Sequence, residues 1–266
     1  MDAIAALGLV DDEAIRLDEA GLLLSAADTP DADLPFAREI VDAMARRLLT
    51  RDSPWASAAD RAAMLAQVVA VEDGFRGDAT RYDAPENADW LSMLARRRGL
   101  PVILSMLYVA LARRVGWAAA ALNVPGHVLV RIGREPGSVL IDPFEGGALL
   151  GEGALAAIVA RSLGRHVKPR PDHVAPMTNR ATLIRLLSNP AARARKAGDV
   201  ERALVLTRRM TAIAPMVSTL WWDRARLEQL SGDSAAARES LAAMRETTHD
   251  PAVEARIKAA VAALAR

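Results

Sequence analysis

His127 opens an apolar, β-branched run, His127-Val-Leu-Val-Arg-Ile132, and Asp142 ends a second one, Ser138-Val-Leu-Ile-Asp142. If these runs pair as a hairpin with 133–136 as a four-residue loop, Ile132 opposes Gly137 and His127 opposes Asp142. Directly opposed residues lie about 5 Å apart at Cβ, within reach for a carboxylate to accept from the imidazole and orient it as a general base. A slip of one residue would send the two side chains to opposite faces. The same contact also makes sense as a tie between strands with no chemistry attached. A base needs a group to activate, and the chain has no cysteine. That removes a thiolate nucleophile, disulfides and thiolate metal ligands together. Ser105 is a candidate hydroxyl, although a serine inside an apolar helix more often bonds to the carbonyl of the preceding turn. The four histidines show no i,i+4 spacing of a helical metal pair, so neither a metal nor a cofactor is expected.

The element that must position these groups is the stretch 98–117. From Val102 to Val115 only Ser105, Tyr108, Arg113 and Arg114 interrupt the apolar run. A helix apolar on nearly every side is surrounded by protein or lipid, and this one is too short and too closely flanked by arginine to cross a bilayer. It reads as the central helix of a core. Gly99 ends what precedes it, and Pro101 suits a first helical turn, where a missing N–H costs nothing. Ahead of it, helical periodicity predicts helices over 11–26, 34–49, 57–71 and 85–98, the third started by Ser57 and Asp60. Between the last two lies a turn-rich surface loop. Its Tyr82, Asp83 and Asn87 either line a groove above the start of the central helix or cap the fourth helix.

After Trp117 the period changes to short runs over 118–124, 127–132 and 138–141, which predict a small antiparallel sheet packed on the central helix. Asn123, Pro125 and Gly126 shape the turn before His127. A helix over 151–163 follows, and the proline-rich stretch 165–177, with His166 and His173, reads as a solvated linker. Beyond it the pattern is helical, and Gly198-Asp199 recurs as Gly232-Asp233, 34 residues later, with Ala203 matched by Ala237. That period is the tetratricopeptide signature. The adjacent Trp221 and Trp222 point to different helix faces, so at least one is expected to pack on the first domain.

The chain has 266 residues, with 34 Lys and Arg against 33 Asp and Glu, a balance that favours neither nucleic acid nor acidic partners. The N-terminal stretch is acidic where a signal peptide is basic. Together these predict a cytoplasmic protein without membrane or nucleic-acid partners.

Tyr82-Asp-Ala-Pro-Glu-Asn87, Arg97-Arg-Gly-Leu-Pro101, Leu104-Ser105, Arg113-Arg-Val-Gly116, Asn123-Val-Pro-Gly-His127 and Ile141-Asp-Pro-Phe144 together resemble the SirB-type family, bacterial proteins with a transglutaminase-like core followed by tetratricopeptide repeats. The resemblance spans nearly the whole chain. It implies an α+β, papain-like core: a helical region over 1–98 and a central helix with sheet over 99–164. An all-α, tetratricopeptide-like region over 178–266 would follow the linker. In active relatives of this architecture a cysteine at the helix start attacks an acyl carbon, a histidine takes its proton and an aspartate orients the histidine. Carried over, His127 and Asp142 match the last two, and Pro101 takes the nucleophile's place. Ser105, one turn further along the same helix face, is the remaining substitute. The resemblance therefore implies a pseudoenzyme that binds a protein or peptide, with Tyr82, Asn87 and Asn123 as candidate binding residues. The alternative is a thiol-independent hydrolase or acyl-transfer enzyme using His127 and Asp142.

Overall fold

The structure, a computed structural model, describes residues 3–264. Contacts divide the chain into two units, 15–182 and 1–14 with 183–266. The short helix α1 (Ala3–Ala6) belongs to the second unit. The larger unit begins with α2 (Leu17–Ala26), so the helix expected from residue 11 starts later, after a single 3-10 turn at Asp12–Ala14. In α3 (Leu34–Arg51), Asp33 caps the start by accepting from the Phe36 N–H at 2.9 Å, and Pro35 sits in the first turn. The α4 helix (Ala58–Ala66) opens on a reciprocal box in which Ser57 and Asp60 each accept the other's backbone N–H. It runs on through a π-helical turn, Gln67–Glu72, that buries Val68 and Val69 and leaves Val71 exposed.

A two-residue strand β1 (Arg76–Gly77) follows. The fourth expected helix is broken in two: a 3-10 turn at Pro85–Ala88, then α5 (Trp90–Arg96), which Asp89 caps through the Ser92 N–H at 2.7 Å. Arg97, at φ 58°, turns the chain into β2 (Arg98–Gly99), which pairs in parallel with β1.

The central helix α6 (Pro101–Arg114) is buried at every residue from Pro101 to Ala112. It packs against α2, α3 and α4 and against the sheet. Its last residue, Arg114, is clamped by Asp18 and Asp42. The sheet is antiparallel in the order β3 (Ala119–Val124), β4 (His127–Ile132), β5 (Val139–Asp142), β6 (Ala148–Leu149). The β4–β5 register pairs Ile132 with Val139 and Val130 with Ile141. The connecting loop is therefore 133–138, two residues longer than expected, and the ladder is shifted by two. Because side chains alternate with period two, an even shift leaves every residue on its expected face. The face that carries Leu129 and Leu140 is covered by α7 (Ala154–Leu163) through Val159, Leu155 and Ile158.

The stretch expected as a solvated linker is packed on this unit. Val167 and Val174 join the cluster beneath α7, and the Met177 N–H donates to the Ala121 carbonyl at 2.8 Å. His173 is buried and its Nδ1 accepts from the Arg170 N–H, whereas His166 is exposed as expected.

Five helices complete the chain: α8 (Asn179–Ala197), α9 (Val200–Ile213), α10 (Ser218–Leu230), α11 (Ser234–Glu246) and α12 (Pro251–Ala263). The division between units falls inside α8, after Thr182. The repeated Gly-Asp pairs are two copies of one junction. Gly198 and Gly232 take positive φ, at 75° and 86°, after α8 and α10. Asp199 and Asp233 then cap α9 and α11 through Arg202 N and Ala236 N. Both tryptophans pack within their own unit, around Leu241, Met244 and Ile257, with Arg224 over Trp221 and Arg256 over Trp222. Among the described residues no helix is long and apolar enough to cross a membrane.

Candidate functional site

His127 and Asp142 meet at the ends of β4 and β5. Nε2 of His127 lies 2.7 Å from Oδ2 of Asp142. With the register shifted by two they are diagonal neighbours rather than opposed, and diagonal pairs are still within reach of long side chains. A carboxylate only accepts, so Nε2 carries a proton, and in the neutral ring Nδ1 would present the lone pair; among the described residues Nδ1 has no hydrogen-bond partner. The other carboxylate oxygen of Asp142 accepts from the Phe144 N–H at 2.9 Å. Both oxygens are thus committed, and the imidazole plane is fixed.

The turn after Asp142 is held by a close approach. The Gly147 N–H donates to the Asp142 carbonyl at 2.8 Å, with Gly147 at φ 80°. A Cβ there would fall 2.8 Å from the Tyr108 hydroxyl and 2.9 Å from its Cε1. Tyr108, from α6, is buried, and its hydroxyl has no hydrogen-bond partner among the described residues. Burial pushes that hydroxyl well above the ordinary tyrosine range, and the Asp142 carboxylate pushes the same way.

His127 and Asp142 line a cleft of about 720 Å³ at the start of α6, with Pro101 in its wall. Tyr82 and Phe144 form an aromatic side, with ring centroids 5.9 Å apart, and Phe144 meets His127 edge-on at 6.1 Å. Phe144 lies against Gly77, where any Cβ would come within 2.4 Å of the ring. The far wall is one face of α7, carrying Ile158, Arg161 and Ser162 at i, i+3 and i+4.

The loop that brings Tyr82 to the cleft is organised from beneath. Asp78 accepts from the Arg81 N–H at 2.9 Å, the Thr80 hydroxyl at 3.0 Å and the Arg96 guanidinium at 3.0 Å. The Arg81 N–H leads in holding its carboxyl down to about 2, against the cost of burial, with Thr80, Asn87 and Arg96 adding to it. Asn87 is fully buried. Its amide donates to the Arg81 carbonyl at 2.7 Å, its Oδ1 accepts from Arg96, and its own carbonyl accepts from the Leu100 N–H at the start of α6.

Of the residues singled out in the sequence, Pro101, His127, Asp142 and Tyr82 come together at the cleft. Asn87 supports the loop and does not line it. Asn123 is exposed on β3 and is not among the lining residues. Ser105 is fully buried, and its hydroxyl donates across to the Val128 carbonyl of β4 at 3.3 Å rather than to its own helix. Glu145, Arg161 and Ser162 escaped sequence reasoning. For Arg161 and Ser162 the signal was the i, i+3, i+4 face of α7, legible only once that helix is known to cover the sheet; Glu145, in the turn after Asp142, carried none.

The "UPF0162 protein" of Xylella fastidiosa strain 9a5c is 29% identical over 189 residues, 69% of this chain and 66% of its own length. A protein of the same name from Vibrio cholerae is 27% identical over 184 residues, 67% of this chain and 66% of that one. Another, from Pseudomonas aeruginosa, is 30% identical over 142 residues, 53% of this chain and 52% of that one. The chain thus matches no more than about two thirds of the length of these curated relatives. No solved structure matches it. The family model described as the transglutaminase-like superfamily matches residues 36–188, which include α6, the sheet and the whole cleft. Spanning more than half of the sequence, that match shows that the chain belongs to the transglutaminase-like superfamily.

Proposed function

We propose that this is a non-catalytic transglutaminase-like protein of the cytoplasm, of the SirB type, that binds a peptide segment of a partner protein in the cleft above the start of α6. The observation that carries this reading is the combination of an intact frame with no attacking atom. His127 and Asp142 stand 2.7 Å apart with Nδ1 unengaged among the described residues, the cleft is open, and its helix start is a proline in a chain without cysteine. Proline has no nucleophilic side chain, and Ser105 is sequestered beneath the sheet. The C-terminal helices, read as two imperfect tetratricopeptide-like units from their 34-residue repeat, support a scaffold role, since such units commonly present binding surfaces.

The unengaged Nδ1 favours one second reading, an enzyme in which His127 activates water for hydrolysis of an amide or ester. A single pair of measurements separates the two. Purified protein is assayed on a broad panel of amide, ester and acyl-transfer substrates, and in parallel titrated with peptides while backbone amide NMR signals are followed. Shifts localised to Tyr82, His127 and Phe144 without turnover are the expected result. Turnover that disappears in a normally folded His127→Ala variant would overturn the binding reading in favour of hydrolysis.

A further inference from the structure

We propose that the cleft takes its peptide by the C-terminal carboxylate, seated on Arg161. This rests on the reading of the cleft as a peptide site and names the group it recognises. Arg161 is the one Lys or Arg among the described residues that line the cleft, and its side chain makes no hydrogen bond or ion pair with the described residues. Other arginines of the same unit are engaged. Arg96 is held by Asp78 and Asn87, Arg114 by Asp18 and Asp42, and Arg47 by Glu72 and Asp73. Those guanidinium groups are spent on the fold, and that of Arg161 is not. A planar guanidinium with a free fork matches a carboxylate through two parallel hydrogen bonds.

The remaining lining narrows the occupant. Glu145 also lines the cleft without a partner, and Asp142 adds a second carboxylate deeper in. A stretch of acidic side chains would meet both. An occupant with one negative group at one end, set against Arg161, avoids that repulsion. Tyr82, Phe144 and Ile158 then offer apolar surface to the adjoining side chain. A cavity of about 720 Å³ lies within the ordinary range for small-ligand sites, which suits a chain end rather than a folded surface.

The test uses the full chain, immobilised, and two randomised libraries of N-acetylated tripeptides, one with free carboxylates and one amidated, with retained members read by mass spectrometry. Members of the acid library are expected to be retained about tenfold or more over their amides. In Arg161→Gln, an exposed position whose fold is checked by circular dichroism, that preference is expected to vanish. Equal retention of acids and amides, or a preference unchanged in Arg161→Gln, overturns the anchor and leaves peptide binding standing. Retention of amides only where they contain Asp or Glu overturns the chain-end assignment in favour of side-chain carboxylates. Retention of neither library overturns the anchor and the peptide reading together.

Discussion

Gly147→Ala is the most direct probe of how the site is built. Gly147 combines φ 80° with an N–H donated to the Asp142 carbonyl, and its missing Cβ would stand 2.8 Å from the Tyr108 hydroxyl and 3.1 Å from the Ala66 Cβ. A left-handed conformation costs a non-glycine residue about 1–2 kcal/mol, and overpacking a buried site costs about 1–3 kcal/mol. The neighbour cannot swing away, because Tyr108 is locked in the middle of a helix buried along nearly its whole length. The expected loss is therefore about 2–5 kcal/mol in the unit that holds the site. Tyr108→Phe alone should stay within about 1 kcal/mol of the native protein, because the hydroxyl it removes has no partner to lose. Adding Tyr108→Phe to Gly147→Ala relieves the closest contact and leaves the one to Cε1 at 2.9 Å, so rescue should be partial. Hydrogen exchange of the α6 amides is the assay, since it reports on this unit separately from the C-terminal helices. A loss below about 1 kcal/mol in Gly147→Ala, or a Tyr108→Phe variant as damaged as Gly147→Ala, would refute the reasoning.

Pro101→Cys should install a thiol at the first turn of α6, in the cleft that His127 also lines, in a chain where it is the sole cysteine. Its alkylation by iodoacetamide at pH 6 is expected to exceed that of a free cysteine about tenfold and to fall back when His127→Ala is added; identical rates in both backgrounds would remove Pro101 from the nucleophile's place. Asp78→Asn should destabilise the 78–87 loop by about 2 kcal/mol at pH 7. Because the Asp78 carboxyl is held down to about 2 in the fold, below its unfolded value, its stabilisation is complete above about pH 4. It is lost as pH falls towards 2. Acid unfolding curves of the native and Asp78→Asn proteins should therefore converge over that window, and a constant gap would contradict the assignment.

Much of this site could be read from residue types, and the reasons differ element by element. The central helix was legible because an apolar run on all sides, started by Gly99 and Pro101, has one physical outcome. The His127–Asp142 contact is legible although the observed hairpin register differs by two from the expected one, because the alternation of a strand protects face assignment against even shifts. The π-helical turn at Gln67–Glu72 was hidden, since one extra residue in a turn barely disturbs a helical pattern. The stretch 165–177 looked like a linker because its polar and proline content outweighed Val167 and Val174, the two residues that tie it down. Arg161 carried no local mark at all. A basic residue in the last turn of a helix is ordinary, and only the helix's place over the sheet sets it apart.

Asn87 gives the cleft a thermodynamic character. Its side-chain amide holds the loop that carries Tyr82, and its carbonyl holds the first amide ahead of α6. The rim and the helix start are consequently one latched body, and neither can swing open without releasing buried hydrogen bonds of the other. On the proposed reading, an incoming chain end would find the mouth already shaped and forfeit mainly its own freedom. Capture should then be quick and little dependent on rearrangement, with residence time set by whatever grips the ligand rather than by a door closing behind it.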